Sequence, residues 1–233
     1  MTTTSLGSGA QVTAAFGSIS DDDAREHLEK YFGLGAWEGK EYEGAHFERL
    51  GRRVPDELTA DDIVAVSCLS IHIPAKGALG ILGEHAAEIT ELLSEIPVDL
   101  ALEELPLDDH EKYFGDASAA IRLWRLLRAH GRERWGVGPT ATSKLMARKR
   151  PALFPIYDSV VGRVTGFRDS LGIWRAWHEA FALDSAFVER IRSLQSATGL
   201  HDISLLRILD VVLWMYGSQG VRGPEIVDLE EEG

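Results

Sequence analysis

The residues best suited to chemistry lie between Trp135 and Val164, in WGVGPTATSKLMARKRPALFPIYDSVVGRV. Asp158 is the one acid in this stretch, and it opens D-S-V-V-G-R-V eighteen residues after Thr140. A carboxylate placed there can stabilise developing positive charge and orient a water, or it can simply cap the helix that begins at Ser159. The two roles are compatible. Upstream, Gly136, Val137 and Gly138 make a tight turn, Pro139 suits a first helical position, and Thr140, Ser143 and Lys144 offer donors or charge nearby. The first amides of a helix have no acceptor within it, so such a turn can present N–H groups to a phosphate. A helix–helix turn with no ligand satisfies the same spacing.

The charge pattern bears on the partner. The chain of 233 residues has a formal net charge of -13, which argues against nucleic acid, because phosphate neutralisation drives such binding. The charge is uneven, however. From Arg122 to Arg150, nine cations face one acid, Glu133, for a local charge of +8; the remainder carries -21. These cations are Arg122, Arg125, Arg128, Arg132, Arg134, Lys144, Arg148, Lys149 and Arg150. Such an island can mark an electrostatic footprint, with Arg148, Lys149 and Arg150 as phosphate contacts and Trp135 as a stacking contact beside the turn. The alternative is a set of arginines that pair with acids elsewhere in the chain.

Helices must position these groups, since alternating strand patterns are nearly absent. Ser20 ahead of Asp21, Asp22 and Asp23 predicts a helix over about residues 21–32, closed by Gly33. Tyr42 to Leu50 can form a short helix. Thr59-Ala-Asp-Asp62 resembles a capping box for a buried helix from Ile63 to Ile71, stopped by Pro74. Further helical spacing covers 78–82 and 84–96, and Asp116 is a candidate cap for Ala117 to His130, with Gly131 as the stop. Later helices are expected after Ser170 as far as Leu183, after Asp184 as far as Thr198 with Gly199 as the stop, and after Ser204. The pentapeptide EKYFG occurs at Glu29 to Gly33 and at Glu111 to Gly115, and two similar helix ends explain it better than a repeat. The expectation is therefore one all-α domain over residues 20–217, with a hairpin module over about 117–166. A flexible lead-in at 1–19 and an acidic tail at 218–233 flank it.

The turn, the helix after it and the approach to Asp158 together resemble the helix-hairpin-helix DNA glycosylase superfamily. The matching positions are Gly136, Val137, Gly138, Ala141, Pro155, Asp158, Ser159, Val161, Arg163 and Val164, about thirty residues of the chain from first to last. The resemblance implies a glycosylase-like helical fold, DNA as partner, and Asp158 as the catalytic carboxylate for N-glycosidic cleavage on an extruded base. Bifunctional members carry a lysine where this chain has Thr140, so the resemblance implies a monofunctional enzyme without a Schiff-base step there. The histidine often found two residues after the aspartate is Val160 here. The four-cysteine cluster of some members has no counterpart, because Cys68 is the single cysteine. The chain also resembles an uncharacterised actinobacterial family of all-helical proteins, which implies no function. Two further readings stay open: a DNA-binding hairpin protein without catalysis, and a helical protein-interaction module.

Other groups suggest less. Asp210 with Arg207 three residues earlier reads as a buried pair holding the fold. His85 with Glu88, and Asp108 to Glu111, lack a third ligand at metal spacing, so no metal or other cofactor is expected. Trp124, Trp174, Trp177 and Trp214 read mainly as core. No run of eighteen apolar residues or basic leader appears, and a lone cysteine suits a reducing compartment, so the expectation is a cytoplasmic protein away from membranes.

Overall fold

A computed structural model describes residues 8–129, 134–168 and 170–220, and these contain helices and turns but no strand. In chain order the helices are α1 (Ser8–Gly17), α2 (Asp21–Phe32), α3 (Ala60–Ala65), α4 (Ala75–Leu79), α5 (Ala86–Ser94) and α6 (His110–Phe114). They are followed by α7 (Ala119–Leu127), α8 (Pro139–Lys149), α9 (Ser159–Thr165), α10 (Ser170–Leu183), α11 (Ser185–Thr198) and α12 (Leu205–Ser218). The all-α expectation holds. None of the described helices is long and apolar enough to cross a membrane.

Local signals work where a cap is decisive. Ser20 accepts from the Asp23 amide at 3.1 Å, and Gly33 closes α2 in the left-handed region, giving the bounds its sequence predicts. Ser204 and Asp184 likewise cap α12 and α11, and EKYFG ends α2 and α6. Asp116 does not cap α7: Ser118 does, accepting from Ile121, while Asp116 receives Arg125 at 2.9 Å. The stop expected at His130 and Gly131 lies outside the described residues, as do Arg132, residues 1–7 of the lead-in and the tail from residue 221.

Three expectations need correction. Residues 8–17 are helical, not an unstructured lead-in: Val12, Ala15 and Phe16 are buried, and Ser8 and the Gly9 amide (3.0 Å) bond Glu179 of α10, along which α1 lies. A helix of ten residues is marginal alone and is stable only against such a partner, which local spacing does not reveal. The helix expected from Ile63 to Ile71 ends at Ala65, and a 3-10 turn, Val66–Leu69, stops at Ser70, whose φ of 58° breaks the run. Tyr42 to Leu50 contains a 3-10 turn, Glu43–His46, in place of an α-helix.

A further correction concerns the basic island. α8 runs through the middle of the molecule, and Ala141 to Arg150 are all buried. Arg148, Lys149 and Arg150, expected to face DNA, are 1, 2 and 0 % exposed. Arg148 Nε donates to Asp62 Oδ1 at 3.1 Å, with further donors on the Phe47 and Leu50 carbonyls; Lys149 bonds Asp62 Oδ2 and the Val54 carbonyl (3.0 Å). Arg150 donates to the carbonyls of Ile96 (2.9 Å), Pro55 (2.7 Å) and Leu93 (2.6 Å) and to Asp56 (2.6 Å). Cations at a helix C-terminus are favoured by its dipole, and here they also supply donors to carbonyls of the segment 47–56, which has few backbone partners of its own. Asp62 serves twice. Its Oδ2 takes the Thr59 amide at 2.9 Å in the capping box that starts α3, and the same carboxylate neutralises two buried cations.

Removing one partner of a buried ion pair leaves uncompensated charge, whereas exposed pairs matter little. Asp62→Ala is therefore expected to destabilise the chain by about 3–5 kcal/mol, and Glu95→Ala, which breaks the exposed pair with Arg122, by less than about 1 kcal/mol. Urea denaturation of the two variants tests the difference.

Candidate active site around Asp158

The turn from α8 to α9 is set by Ser143. Its buried hydroxyl donates to the Thr140 carbonyl at 3.0 Å and accepts the Tyr157 amide at 3.0 Å, holding the connecting segment ALFPIY, which starts as a turn off Arg150, against α8. Asp158 comes next, in extended conformation as the N-cap of α9. Oδ1 accepts the Val160 amide at 2.9 Å, and Oδ2 accepts Lys144 Nζ at 3.2 Å. Lys144 Nζ also donates to the Leu69 carbonyl at 3.0 Å, the last residue before the left-handed Ser70. Burial lowers the pKa of the Lys144 ammonium, and the Asp158 carboxylate opposes that shift.

Asp158 keeps 20 % of its side chain exposed, and it lines a cleft of about 390 Å³. Tyr31, Tyr42 and Trp214 form an aromatic wall: the two tyrosines stack at 5.4 Å between ring centroids, and Trp214 meets both edge-on at 6.1 and 6.0 Å. Gly44 allows the wall to form, since a Cβ there would collide with the Tyr31 hydroxyl. Below lies the pair expected from α12. Arg207 bonds Asp210, Glu48 (2.7 Å), the Tyr31 hydroxyl (2.7 Å) and the Gly44 carbonyl (3.0 Å), so it holds the fold while flooring the cleft. Burial works against its charge, but Tyr31, Glu48 and Asp210 outweigh that and hold the guanidinium protonated. Burial pushes the Asp210 carboxyl up to about 6 despite Arg207 beside it, and Asp210 Oδ1 has no protein partner among the described residues.

The hairpin residues divide. Gly136 is exposed with a φ of 83°, Gly138 caps α8 in extended conformation, and Pro139 and Thr140 are half-buried. Together with exposed Arg125, Arg128 and Arg134, the Gly136 to Pro139 turn lines a second cavity of about 500 Å³. Val137 and Trp135 are buried instead; Trp135 Nε1 donates to the Leu127 carbonyl at 2.6 Å, so it pins the turn and cannot stack on a ligand as expected. The two cavities share no lining residue. Thr140 is absent from the Asp158 cleft, and Lys144, one helical turn further along α8, faces Asp158 in its place. Ser143 and Lys144, expected as DNA donors, both bond inside the protein. His85 pairs with Glu84 and Glu88, and no cluster of three metal-type ligands occurs among the described residues.

Tyr31, Tyr42 and Glu43 were not evident as site residues in the sequence. They sit over a hundred residues before Asp158, and the one available signal was the i, i+3, i+7 row of Arg207, Asp210 and Trp214 on α12. Residues 24–217 match the model of a family of unknown function, DUF6308. The chain belongs to that family. Neither the curated proteins nor the solved structures give a match. For this DUF6308 member the match spans α2 to α12, so the Asp158 cleft lies wholly within the family's domain.

The raised pKa of Asp210 has a measurable sign. A carboxyl whose folded pKa exceeds its ordinary value of 3.8 contributes stability that is fully present below pH 3.8 and lost as pH rises through about 6. The stability difference between the native chain and Asp210→Asn, followed by urea denaturation from pH 4 to pH 7, should therefore move against the native chain as pH rises.

Proposed function

We propose that this protein hydrolyses an N-glycosidic bond, with Asp158 as the carboxylate that acts on the sugar. The observation that carries this reading is the placement of Asp158: oriented by the Val160 amide and Lys144, partly exposed, and facing a cleft with an aromatic wall. As the bond between the anomeric carbon and the base nitrogen breaks, positive charge grows on the sugar, and a fixed carboxylate stabilises it without reorganising. Water then adds to the anomeric carbon, and the base leaves with a proton. Tyr42 and Trp214 suit the planar base, because aromatic faces and edges accept any ring. Thr140, at the sequence position of the lyase lysine, lies away from the cleft, and Lys144, which does face Asp158, is held by that carboxylate and the Leu69 carbonyl, which supports a monofunctional hydrolase.

A second reading, a DNA-binding protein of DNA-repair type with or without that catalysis, draws on the hairpin cavity. There Arg125, Arg128 and Arg134 surround the Gly136 to Pro139 turn, where helix N-terminal amides favour phosphate. Burial of Arg148, Lys149 and Arg150 removes the other cations on which that reading drew. What remains is a smaller basic patch on an acidic chain.

Base release from a panel of nucleosides and of duplexes carrying uracil, oxidised or alkylated bases tests the first reading, with Asp158→Asn expected to lower the rate by about 100-fold or more. Release that survives in Asp158→Asn, or none on any substrate, would sink it. For the second reading, duplex retention should fall with rising salt and weaken in an Arg128→Ala, Arg134→Ala double variant.

A further inference from the structure

The cleft around Asp158 is lined by two cations, and both are committed to the protein. Lys144 Nζ spends donors on the Leu69 carbonyl and Asp158, and Arg207 spends donors on Glu48, Asp210, Tyr31 and Gly44. Three acids line the same space: Asp158, Asp210 and, exposed at its side, Glu43. A phosphate entering here would meet carboxylates, and each of the two cations already has a carboxylate partner of its own, so the phosphate's desolvation would be poorly compensated. The arginines that could hold phosphate line the other cavity, beside the hairpin.

Size points the same way. At about 390 Å³ the cleft is near the lower end of the roughly 300–1,000 Å³ found for small-molecule sites. It offers room for one base and one sugar. Tyr42, 36 % exposed, and half-buried Trp214 present apolar ring surface, while the carboxylates of Asp158 and Glu43 can accept from sugar hydroxyls or base N–H groups.

From these contacts we infer that the cleft takes a free, unphosphorylated nucleoside, in preference to a nucleotide or a nucleotide unit of DNA. The assignment rests on the reading of Asp158 as acting on an N-glycoside. In the reaction the bond from the anomeric carbon to the base nitrogen breaks, water supplies hydroxyl to the sugar and a proton to the base, and no redox partner is needed.

The test titrates the full chain by calorimetry with adenosine, guanosine, cytidine and uridine, their deoxy forms, each 5′-monophosphate and a short duplex, and follows base release by chromatography. At least one nucleoside should bind tenfold or more tightly than its monophosphate. Tyr42→Ala, at an exposed position, should weaken that nucleoside at least tenfold. Glu43→Lys, also exposed, should narrow the gap by strengthening the monophosphate. A monophosphate or duplex that binds as tightly as the nucleoside, or no nucleoside binding at all, overturns the inference. Base release from duplex alone, lost in Asp158→Asn, overturns it while the glycosidase reading stands. Nucleoside binding with no base release supports the site and removes the hydrolase.

Discussion

A buried helix that carries cations must find its anions and carbonyls inside the protein, and α8 imposes that condition on the whole molecule. From Ala141 to its cap at Arg150 every residue is buried. Its C-terminal cations reach outward to Asp62, Asp56 and a set of backbone carbonyls, and in doing so they tie the loop around residues 47–56 and the start of α3 to the centre. Lys144, one turn earlier, applies the same rule on another side and finds Leu69 and Asp158. The cost of a buried charge without a partner, several kcal/mol, makes these placements mutually dependent.

The candidate site follows from that arrangement. Asp158 can cap α9 and still show an oxygen to the cleft because Ser143 fixes the chain approaching it and Lys144 fixes its carboxylate. The far wall comes from α2, the 3-10 turn Glu43–His46 and α12, joined through Arg207. Arg207 thus links floor and wall, and its bonds to the Tyr31 hydroxyl and the Gly44 carbonyl fix the ring on which Tyr42 stacks. Preorganisation of this kind lowers the ordering cost of binding.

The same condition changes how charge along the chain should be weighed for a partner. A local excess of cations between Arg122 and Arg150 looks like a binding surface when charges are counted along the sequence. Folded, it splits into buried pairs on α8 and a smaller exposed group, Arg125, Arg128 and Arg134, beside the hairpin turn. Only the exposed group can contribute to an external field.

By itself, the sequence determined the helical class, the caps at Ser20, Asp158, Asp184 and Ser204, the closing glycines at 33 and 199 and the buried Arg207–Asp210 pair. Those depend on hydrogen bonds and spacings within about four residues, where local chemistry is decisive. Tertiary structure decided that residues 8–17 are helical, that Arg148 to Arg150 face inward, that Trp135 is a pin, and that Lys144 and not Thr140 meets the cleft. It also brought Tyr31, Tyr42 and Trp214 to Asp158 from both ends of the chain. Each of these turns on which buried group lies within about 3 Å of another, and burial is a property of the packed whole that no window of sequence contains.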